Sequence, residues 1–243
     1  MNLILLEADE LSAEGEAVLR DARAEHVRAV LGAQAGSRLR VGVVGAGSGT
    51  AEVIAIDDLQ VKLRCSIGAG IPERPPVDLL LALPRPKVLA RLWPQLAAVG
   101  VGRVLLTNAV KVERYYFDSS PLDPAVYGKL LREGLAQAKD TRLPIVSIHK
   151  RLKPLVEDEL DAIAGGSRRL LADPIYPRSP FDALSGTRAR VLLALGPEGG
   201  WVDYERDLFE RHGFAGVGLG PRTLRSDTAA VALLAVVHEA LRR

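Results

Sequence analysis

From residue 77 to the end of the chain, short apolar runs alternate with segments that have helical periodicity. The helix-like segments span residues 87–99, 123–139, 153–164, 203–212 and 226–241. The strand-like runs between them are VDLLLAL, RVLLTN, LPIVSIH, RRLLAD, VLLALG and GVGLG. Uninterrupted Val, Leu and Ile runs separated by helices are typical of a mostly parallel sheet with helices on both faces. The sequence therefore predicts an α/β domain, with Pro94 kinking or ending its first helix.

The first part of the chain has a different pattern. After the strand-like start comes the helix-like stretch SAEGEAVLRDARAEHVRAVLG, and then the short strand-like runs RLRVGVV, TAEVIAI and VKLRCSI. The turns GAGSG and DDL separate these runs, which is typical of a small β-barrel. The proline-rich IPERPPV that follows reads as a linker. We therefore expect two domains, residues 1–71 and 72–243.

Charge, cysteine content and hydropathy limit the class of protein. The formal net charge of +2 over 243 residues is too balanced to indicate nucleic acid binding by itself. Cys65 is the single cysteine, so no intramolecular disulfide can form and a reducing compartment is expected. No apolar run approaches the roughly 20 residues of a membrane-spanning helix, and the start MNLILLEADE lacks the basic region of a signal peptide. We expect a cytoplasmic protein.

Several common site motifs do not fit the sequence. In GVVGAGSGT, a G-x-G-x-x-G pattern counted from Gly45 would place its third glycine on Thr50, and the stretch leads into a strand instead of a helix. Neither a G-x-x-x-x-G-K-[ST] phosphate loop nor a G-x-S-x-G nucleophile elbow occurs in the sequence. The histidines have no metal-ligand spacing, so no metal site is predicted.

Two Leu-Gly-Pro turns are the candidates for a site. LGPEGGW (195–201) and LGPRTLRSDTAA (219–230) each follow an apolar strand-like run. Ligands of open α/β sheets bind at the carboxyl ends of the strands, and glycines let backbone N–H and C=O groups approach a ligand closely. Such loops suit a flat heterocycle such as adenine. The alternative is a pair of ordinary turns, the second capping a helix through Ser226 or Asp227.

The two turns together resemble the signature of the RsmE family of SPOUT methyltransferases. The family patterns are I-G-P-E-G-G-[FW] and L-G-x-R-I-L-R-x-E-T-A. The resemblance extends to LALPRPKVLARLWPQLAAVGVGRVLLTN and EGLAQAKDTRLPIVSIH, and in the N-terminal part to EHVRAVLGAQAGSRLRVG. It therefore covers nearly the whole chain.

The resemblance implies a fold, a cofactor and partners. The N-terminal domain would be a PUA-like RNA-binding β-barrel, and the C-terminal domain a SPOUT α/β fold with a trefoil knot. The chain would be a homodimer that methylates N3 of a uridine in 16S rRNA of the small ribosomal subunit, with S-adenosyl-L-methionine as cofactor. The residues expected to bind the cofactor are Leu171, Ala172, Leu195, Gly196, Glu198, Gly200, Leu219, Gly220, Leu224, Arg225 and Thr228.

Three charged side chains are the candidates for catalysis. Uracil N3 must lose its proton before or during attack on the methyl group, so the enzyme has to position the base and stabilise its anion. We assign Arg225 to fixing the uracil. Asp227 or Glu198 would accept the proton or orient Arg225. The alternative role for Asp227 is a helix-start carboxylate favoured by the helix dipole.

Basic residues of the N-terminal domain are candidates for docking the RNA, although for each of them a solvated charged surface is the simpler explanation. The RNA-binding candidates are Arg23, His26, Arg28, Arg38 and Arg40 of this domain, together with Arg222 of the second Leu-Gly-Pro turn. Two other functions are open: a SPOUT enzyme that methylates another RNA position, such as a ribose 2′-oxygen, and a non-catalytic RNA-binding protein.

The sequence departs from the family pattern at a few positions. Asp227 stands where the family usually has Glu, which shortens the side chain by one methylene. Gly32 stands where Arg is usual, removing one possible phosphate contact. Gln95 and Ala98, near Pro94, occupy the region where the family has Lys and Glu.

Overall fold

Two sheets organise the chain in the computed structural model, which describes residues 3–186 and 188–242. The backbone divides into two units. Unit 1 comprises Met1–Arg74 and Arg132–Leu143, and unit 2 comprises Pro75–Leu131 and Pro144–Arg243. The second unit is therefore interrupted by a segment that belongs to the first.

Unit 1 is built on a five-stranded sheet with the order β1-β3-β4-β5-β2. Strand β1 pairs parallel with β3, and the other neighbours are antiparallel. Because the edge strands β1 and β2 do not pair with each other among the described residues, the predicted barrel is a half-barrel. Its core is formed by apolar side chains such as Val41, Val53 and Leu63, all fully buried. The strands are β1 Ile4–Leu6, β2 Glu16–Leu19, β3 Arg38–Val43, β4 Ser48–Ile56 and β5 Val61–Ile67.

The stretch predicted as one helix over residues 12–32 is only partly helical, and this prediction was wrong for its first half. Glu16–Leu19 is β2, which pairs antiparallel with β5 and alternates inward and outward side chains. Asp21 then caps α1, Ala22–Glu25, by accepting a hydrogen bond from the backbone N–H of Arg23. A π-helical turn, His26–Val30, follows. Gly32 has a φ of 58°, a left-handed conformation in which an arginine would be strained.

Unit 1 is completed by a segment from the middle of the sequence. Within Arg132–Leu143, the Thr141 hydroxyl donates to the carbonyl of Ala46 at 2.5 Å. The carbonyl of Thr141 accepts from the backbone N–H of Gly45 at 2.8 Å. These bonds tie the segment to the turn between β3 and β4. The sequence pattern gave no indication of this insertion.

Unit 2 is built on a six-stranded, wholly parallel sheet with the order β11-β9-β10-β6-β7-β8. Every side chain of β6 and β10 is buried, which explains their apolar runs; the polar exception, Asp78 of β6, is ion-paired with Arg190 at 2.7 Å. The predicted α/β domain is confirmed. Since all six strands point the same way, their carboxyl ends share one edge. The strands are β6 Val77–Ala82, β7 Arg103–Thr107, β8 Ile145–His149, β9 Arg168–Ala172, β10 Val191–Leu195 and β11 Ala215–Val217.

Helices follow most of these strands. The first of them in unit 2, α2 (Pro86–Val99), does not end at Pro94, contrary to one of the two expectations for that residue. Gln95 and Ala98 lie on the exposed face of α2. The short 3-10 turns are Ala8–Glu10, Arg114–Asp118 and Ser120–Leu122. The α-helices are α2 Pro86–Val99, α3 Pro124–Ala138, α4 Leu152–Pro154, α5 Leu160–Ala164, α6 Pro180–Ala183, α7 Asp203–Arg211 and α8 Ser226–Leu241, with a π-helical turn Leu155–Glu159 between α4 and α5. Across residues 3–186 and 188–242, no helix has the length and apolar character to cross a membrane.

His238 links α8 to the end of α2, and we expect it to make stability depend on pH. Its Nε2 lies 2.8 Å from the carbonyl oxygen of Gly100, the left-handed residue that ends α2. Burial lowers the pKa of His238 below its usual 6.5. The folded state therefore favours the neutral imidazole, so its contribution is complete above pH 6.5 and is lost as the pH falls.

The prediction is checked by urea unfolding at pH 7.5 and pH 5.5. The free energy of unfolding should decrease towards the lower pH, and the decrease should be smaller in His238→Gln. An equal decrease in both proteins would contradict the assignment to His238.

Candidate active site

Three loops at the carboxyl edge of the parallel sheet enclose a cavity of about 380 Å³. The end of β9 and the loop after it contribute residues 172–175, the end of β10 and its loop contribute 195–201, and the end of β11 and the chain after it contribute 217–220 and 222–224. The strand order explains this meeting, because β9 lies between β10 and β11. The two Leu-Gly-Pro turns therefore form walls of one cavity.

Close backbone packing shapes this cavity. A Cβ atom on Gly218 would lie 2.3 Å from the carbonyl oxygen of Tyr176, and one on Gly196 would lie 3.0 Å from the indole nitrogen of Trp201. Glycine is required at position 218, since the obstructing atom is backbone. The indole N–H of Trp201 is buried and has no hydrogen-bond partner within the described part of the chain. Tight glycine contacts thus hold the loops around a polar donor in a largely apolar wall.

Arg206, on α7, fastens two of the loops to each other. Its guanidinium donates to the carbonyl of Trp201 at 2.5 Å and lies 3.5 Å from the carboxylate of Asp173. It also forms an ion pair with Asp203. Asp173 is only 8% exposed, and its second oxygen accepts the backbone N–H of Ile175 at 3.1 Å. Arg206 and Asp173 therefore hold the loops around the cavity in place.

A second, charged cleft of about 740 Å³ adjoins the cavity. Glu198 and Ser226 line both spaces, so the cavity and the cleft adjoin at these residues. Tyr115 is 65% exposed and packs edge-on against Tyr116, with ring centroids 4.8 Å apart. The remaining lining residues are Arg85, Pro86, Lys87, Val88, Arg91, Glu113, Arg225 and Asp227.

Asp227 is engaged by an arginine from α2. One carboxylate oxygen lies 3.0 Å from the guanidinium of Arg91, and the other accepts the backbone N–H of Thr228 at 2.9 Å. The Arg91 hydrogen bond is the main reason why the pKa of Asp227 is lowered from its usual value. A carboxylate with a lowered pKa is a weaker proton acceptor. Asp227 is thus held as an anion that orients Arg91.

Arg225 and Glu198 are less engaged than Asp227. Arg225 precedes α8 and is exposed, and its guanidinium forms no hydrogen bond or ion pair with the residues that the structure describes. Glu198 is exposed, and one of its carboxylate oxygens accepts the backbone N–H of Arg85 at 3.1 Å. This bond joins the loop after β6 to the loop after β10. A cation and a carboxylate therefore remain available to a ligand where the two spaces meet.

The structure brings most of the predicted cofactor-binding residues together. Leu171 is instead buried inside β9, and Thr228 lies in the first turn of α8 outside both spaces. Arg225 lines the cleft, whereas Arg222, predicted to bind RNA, lines the cavity. The predicted residues that line the cavity are Ala172, Leu195, Gly196, Glu198, Gly200, Leu219, Gly220 and Leu224.

Sequence reasoning missed several residues of the cleft, among them Arg85, Arg91 and Tyr115. Arg85 follows the carboxyl end of β6, so the rule that pointed to the Leu-Gly-Pro turns could have found it. Arg91 and Tyr115 reach the cleft from a helix and a 3-10 turn, for which the sequence offers no comparable signal.

The RNA-binding candidates of unit 1 differ in availability. Arg23 is ion-paired with Glu10 and Asp21. Arg28 donates to the carbonyl of Asp57 at 3.1 Å. The Nε2 of His26 is buried. Arg38 and Arg40 lie two residues apart on β3 and are both exposed on one face of the sheet.

No metal site was predicted, and over the described ranges no three His, Cys, Asp or Glu residues cluster as metal ligands would.

Comparison with known proteins identifies the family. A sequence model of the RNA methyltransferase domain matches residues 72–238. Ribosomal RNA small subunit methyltransferase E of Treponema pallidum is 30% identical over 98% of this chain and 90% of its own length. The chain belongs to the ribosomal RNA small subunit methyltransferase E family. Ribosomal RNA small subunit methyltransferase E 1 of Borreliella burgdorferi is 25% identical over 96% of this chain and 95% of its own length.

A solved structure shows the same fold. Ribosomal RNA small subunit methyltransferase E from Neisseria gonorrhoeae, bound to S-adenosyl methionine, superposes with a TM-score of 0.76 at 16% identity, covering 98% of this chain and 97% of that one. The predicted methyltransferase E family and the predicted fold class are thereby confirmed. The trefoil knot, the homodimer and the role of each site residue stay predictions.

Proposed function

We propose that this methyltransferase E family member transfers a methyl group from S-adenosylmethionine to N3 of a uridine in 16S rRNA. The observation that carries the proposal is that two spaces, a largely apolar glycine-walled cavity and a charged cleft, adjoin at Glu198 and Ser226. A cofactor in the cavity and a base in the cleft would then face each other at this junction.

The cavity fits the cofactor in size and chemistry. Its volume of about 380 Å³ lies in the usual range of small-molecule sites. Leu195, Leu219 and Leu224 offer apolar contacts, and the glycines of the two turns let backbone approach the cofactor closely. When bound, S-adenosylmethionine supplies an electrophilic methyl group. The chain's part is to hold the cofactor between the three loops and to keep water away.

Arg225 is the residue that we assign to the uracil. Uracil N3 lies on the Watson–Crick edge, so the target must be unpaired or flipped out to reach the cleft. The unpaired guanidinium of Arg225 can donate to the uracil oxygens and stabilise the charge that develops as N3 loses its proton. The exposed Tyr115 ring offers a face on which a base can stack.

Glu198 suits the role of proton acceptor better than Asp227 does. It stands at the junction of the two spaces and its carboxylate accepts only one described hydrogen bond. Asp227 is held by Arg91, and its lowered pKa makes it the weaker base. We therefore assign Asp227 to positioning Arg91.

The remaining parts of the proposal concern partners and location. The half-barrel of unit 1 would dock the rRNA, with Arg38 and Arg40 as its best-placed cations, because both are exposed on one face. A homodimer is proposed from the family resemblance. We propose a cytoplasmic location on the basis of the rRNA substrate.

Mass mapping of modified nucleotides tests the proposed function. Small ribosomal subunits from cells that lack the protein should gain one methyluridine when incubated with the protein and S-adenosylmethionine, with the methyl group on N3. A methyl group on a ribose 2′-oxygen would favour the other SPOUT activity. Cofactor binding without any methylation of the RNA would favour the non-catalytic alternative.

A further inference from the structure

A basic groove of about 540 Å³ lies in unit 2, outside the cavity and the cleft. It is formed where the chain leaves β7 and β8, with α7 on its far side. Four exposed cations, Arg114, Lys150, Arg151 and Lys153, line it. The predicted RNA-binding residues include none of them, since all of those except Arg222 lie in the N-terminal domain.

The positive charge of this groove is largely uncompensated. Arg114, Lys150 and Arg151 form no side-chain hydrogen bond or ion pair with any residue in the described ranges, and Lys153 has only a distant partner, Glu157 at 3.8 Å.

The acidic group in the lining, Glu205, is already engaged. It is buried and accepts the backbone N–H groups of Val110 at 2.7 Å and Val202 at 3.0 Å. Its charge is therefore committed to the loop backbone. Tyr204, which is 50% exposed, adds an aromatic face.

The groove and the cleft are neighbours along one short segment. Arg114 lines the groove, whereas the residues on either side of it, Glu113 and Tyr115, line the cleft. A strand of nucleic acid that crosses this segment can place one nucleotide in the cleft and its neighbours in the groove. Unpaired cations beside an exposed aromatic ring are the features by which proteins hold single-stranded nucleic acid.

We propose that this groove binds the phosphates of the rRNA strand next to the target uridine. The proposal rests on the rRNA substrate of the proposed function. Arg114, Lys150 and Arg151 would contact backbone phosphates, and Tyr204 would stack on a flanking base. The groove would thereby orient the strand so that a single nucleotide enters the cleft.

The test compares two triple variants that lose the same charges. The groove variant is Arg114→Gln/Lys150→Gln/Arg151→Gln. The matched control, Lys129→Gln/Arg168→Gln/Arg188→Gln, removes exposed cations that line neither the groove nor the cleft. Binding of a labelled full-length 16S rRNA transcript is measured by filter retention between 50 mM and 300 mM salt. Thermal melting shows that both variants are folded.

The expected result is a weaker dependence of binding on salt. Since each phosphate contact to a single strand contributes about 0.7 to the slope of log K against log salt, losing three should reduce the slope by about 2 and weaken binding about 50-fold at about 0.15 M salt. The control should behave like the wild type. If the triple variant does not fold, Lys150→Gln/Arg151→Gln should reduce the slope by about 1.4.

Two outcomes would overturn the proposal. One is a groove variant with the salt slope and affinity of the control. The other is unchanged RNA affinity with a changed sedimentation coefficient, which would make the groove an interface between copies of the chain. Methylation by the wild type is mapped in parallel. If the wild type adds no methyl group, the proposed function fails. The salt slopes still show whether the groove binds the RNA.

Discussion

Replacing Arg225 with alanine should lower the turnover number about 100- to 1,000-fold while cofactor binding stays nearly unchanged. The guanidinium lines the cleft and not the cavity, so its loss should not disturb the cofactor. It is exposed and forms no ion pair among the described residues, and its charge is only a minor cause of the lowered pKa of Asp227, after the hydrogen bond from Arg91. Removing one donor that stabilises developing negative charge usually lowers kcat by this amount.

The measurement is single-turnover methylation of purified small subunits, with cofactor affinity from calorimetry. Arg225→Lys keeps the charge but loses the planar pair of donors, so it should recover only a small part of the rate. Arg168→Ala, at the opposite edge of the sheet where β9 begins, is the control and should leave the rate unchanged. Near-normal turnover by Arg225→Ala would show that this side chain does not hold the uracil.

The alternation of apolar runs with helices was enough to predict unit 2. Runs such as VLLALG are buried on both faces of a parallel sheet, and all of their carboxyl ends lie at one edge. Because ligands bind at that edge, the sequence alone is enough to single out both Leu-Gly-Pro turns as candidates for the site. The strand order decides which loops become neighbours, and it depends on pairing between distant segments. The position of β9 between β10 and β11 could not be read from local pattern.

Features that depend on contacts between distant segments could not be predicted from the sequence. The pairing of Asp227 with Arg91 joins the start of α8 to the second turn of α2, two helices that are far apart in the chain. It gives the shorter acid at position 227 a partner on α2. Strand β2 was missed for another reason: EAVL is short, and its alternation is hidden among residues that favour helix. Its place is fixed by pairing with β5.

Gly218→Ala should lower kcat/KM for methyl transfer about 100-fold and weaken cofactor binding. The new Cβ would lie 2.3 Å from the carbonyl oxygen of Tyr176 and 3.2 Å from that of Asp173. Both obstructing atoms are backbone, so a side-chain rotation cannot relieve the contact. One of the two loops must move by about 1 Å, and displacements of that size can cost about 100-fold in rate.

The Gly218→Ala substitution acts on the walls of the cavity. Gly218 lines the cavity, and its backbone N–H donates to the carbonyl of Arg178 at 2.9 Å. Overpacking of this kind destabilises a protein by about 1–3 kcal/mol, so thermal melting must show that the variant is folded in the assay. Gly70→Ala is the matched control, since a Cβ there meets nothing within 4 Å. Wild-type cofactor affinity in folded Gly218→Ala would mean that the approach of these loops does not shape the binding site.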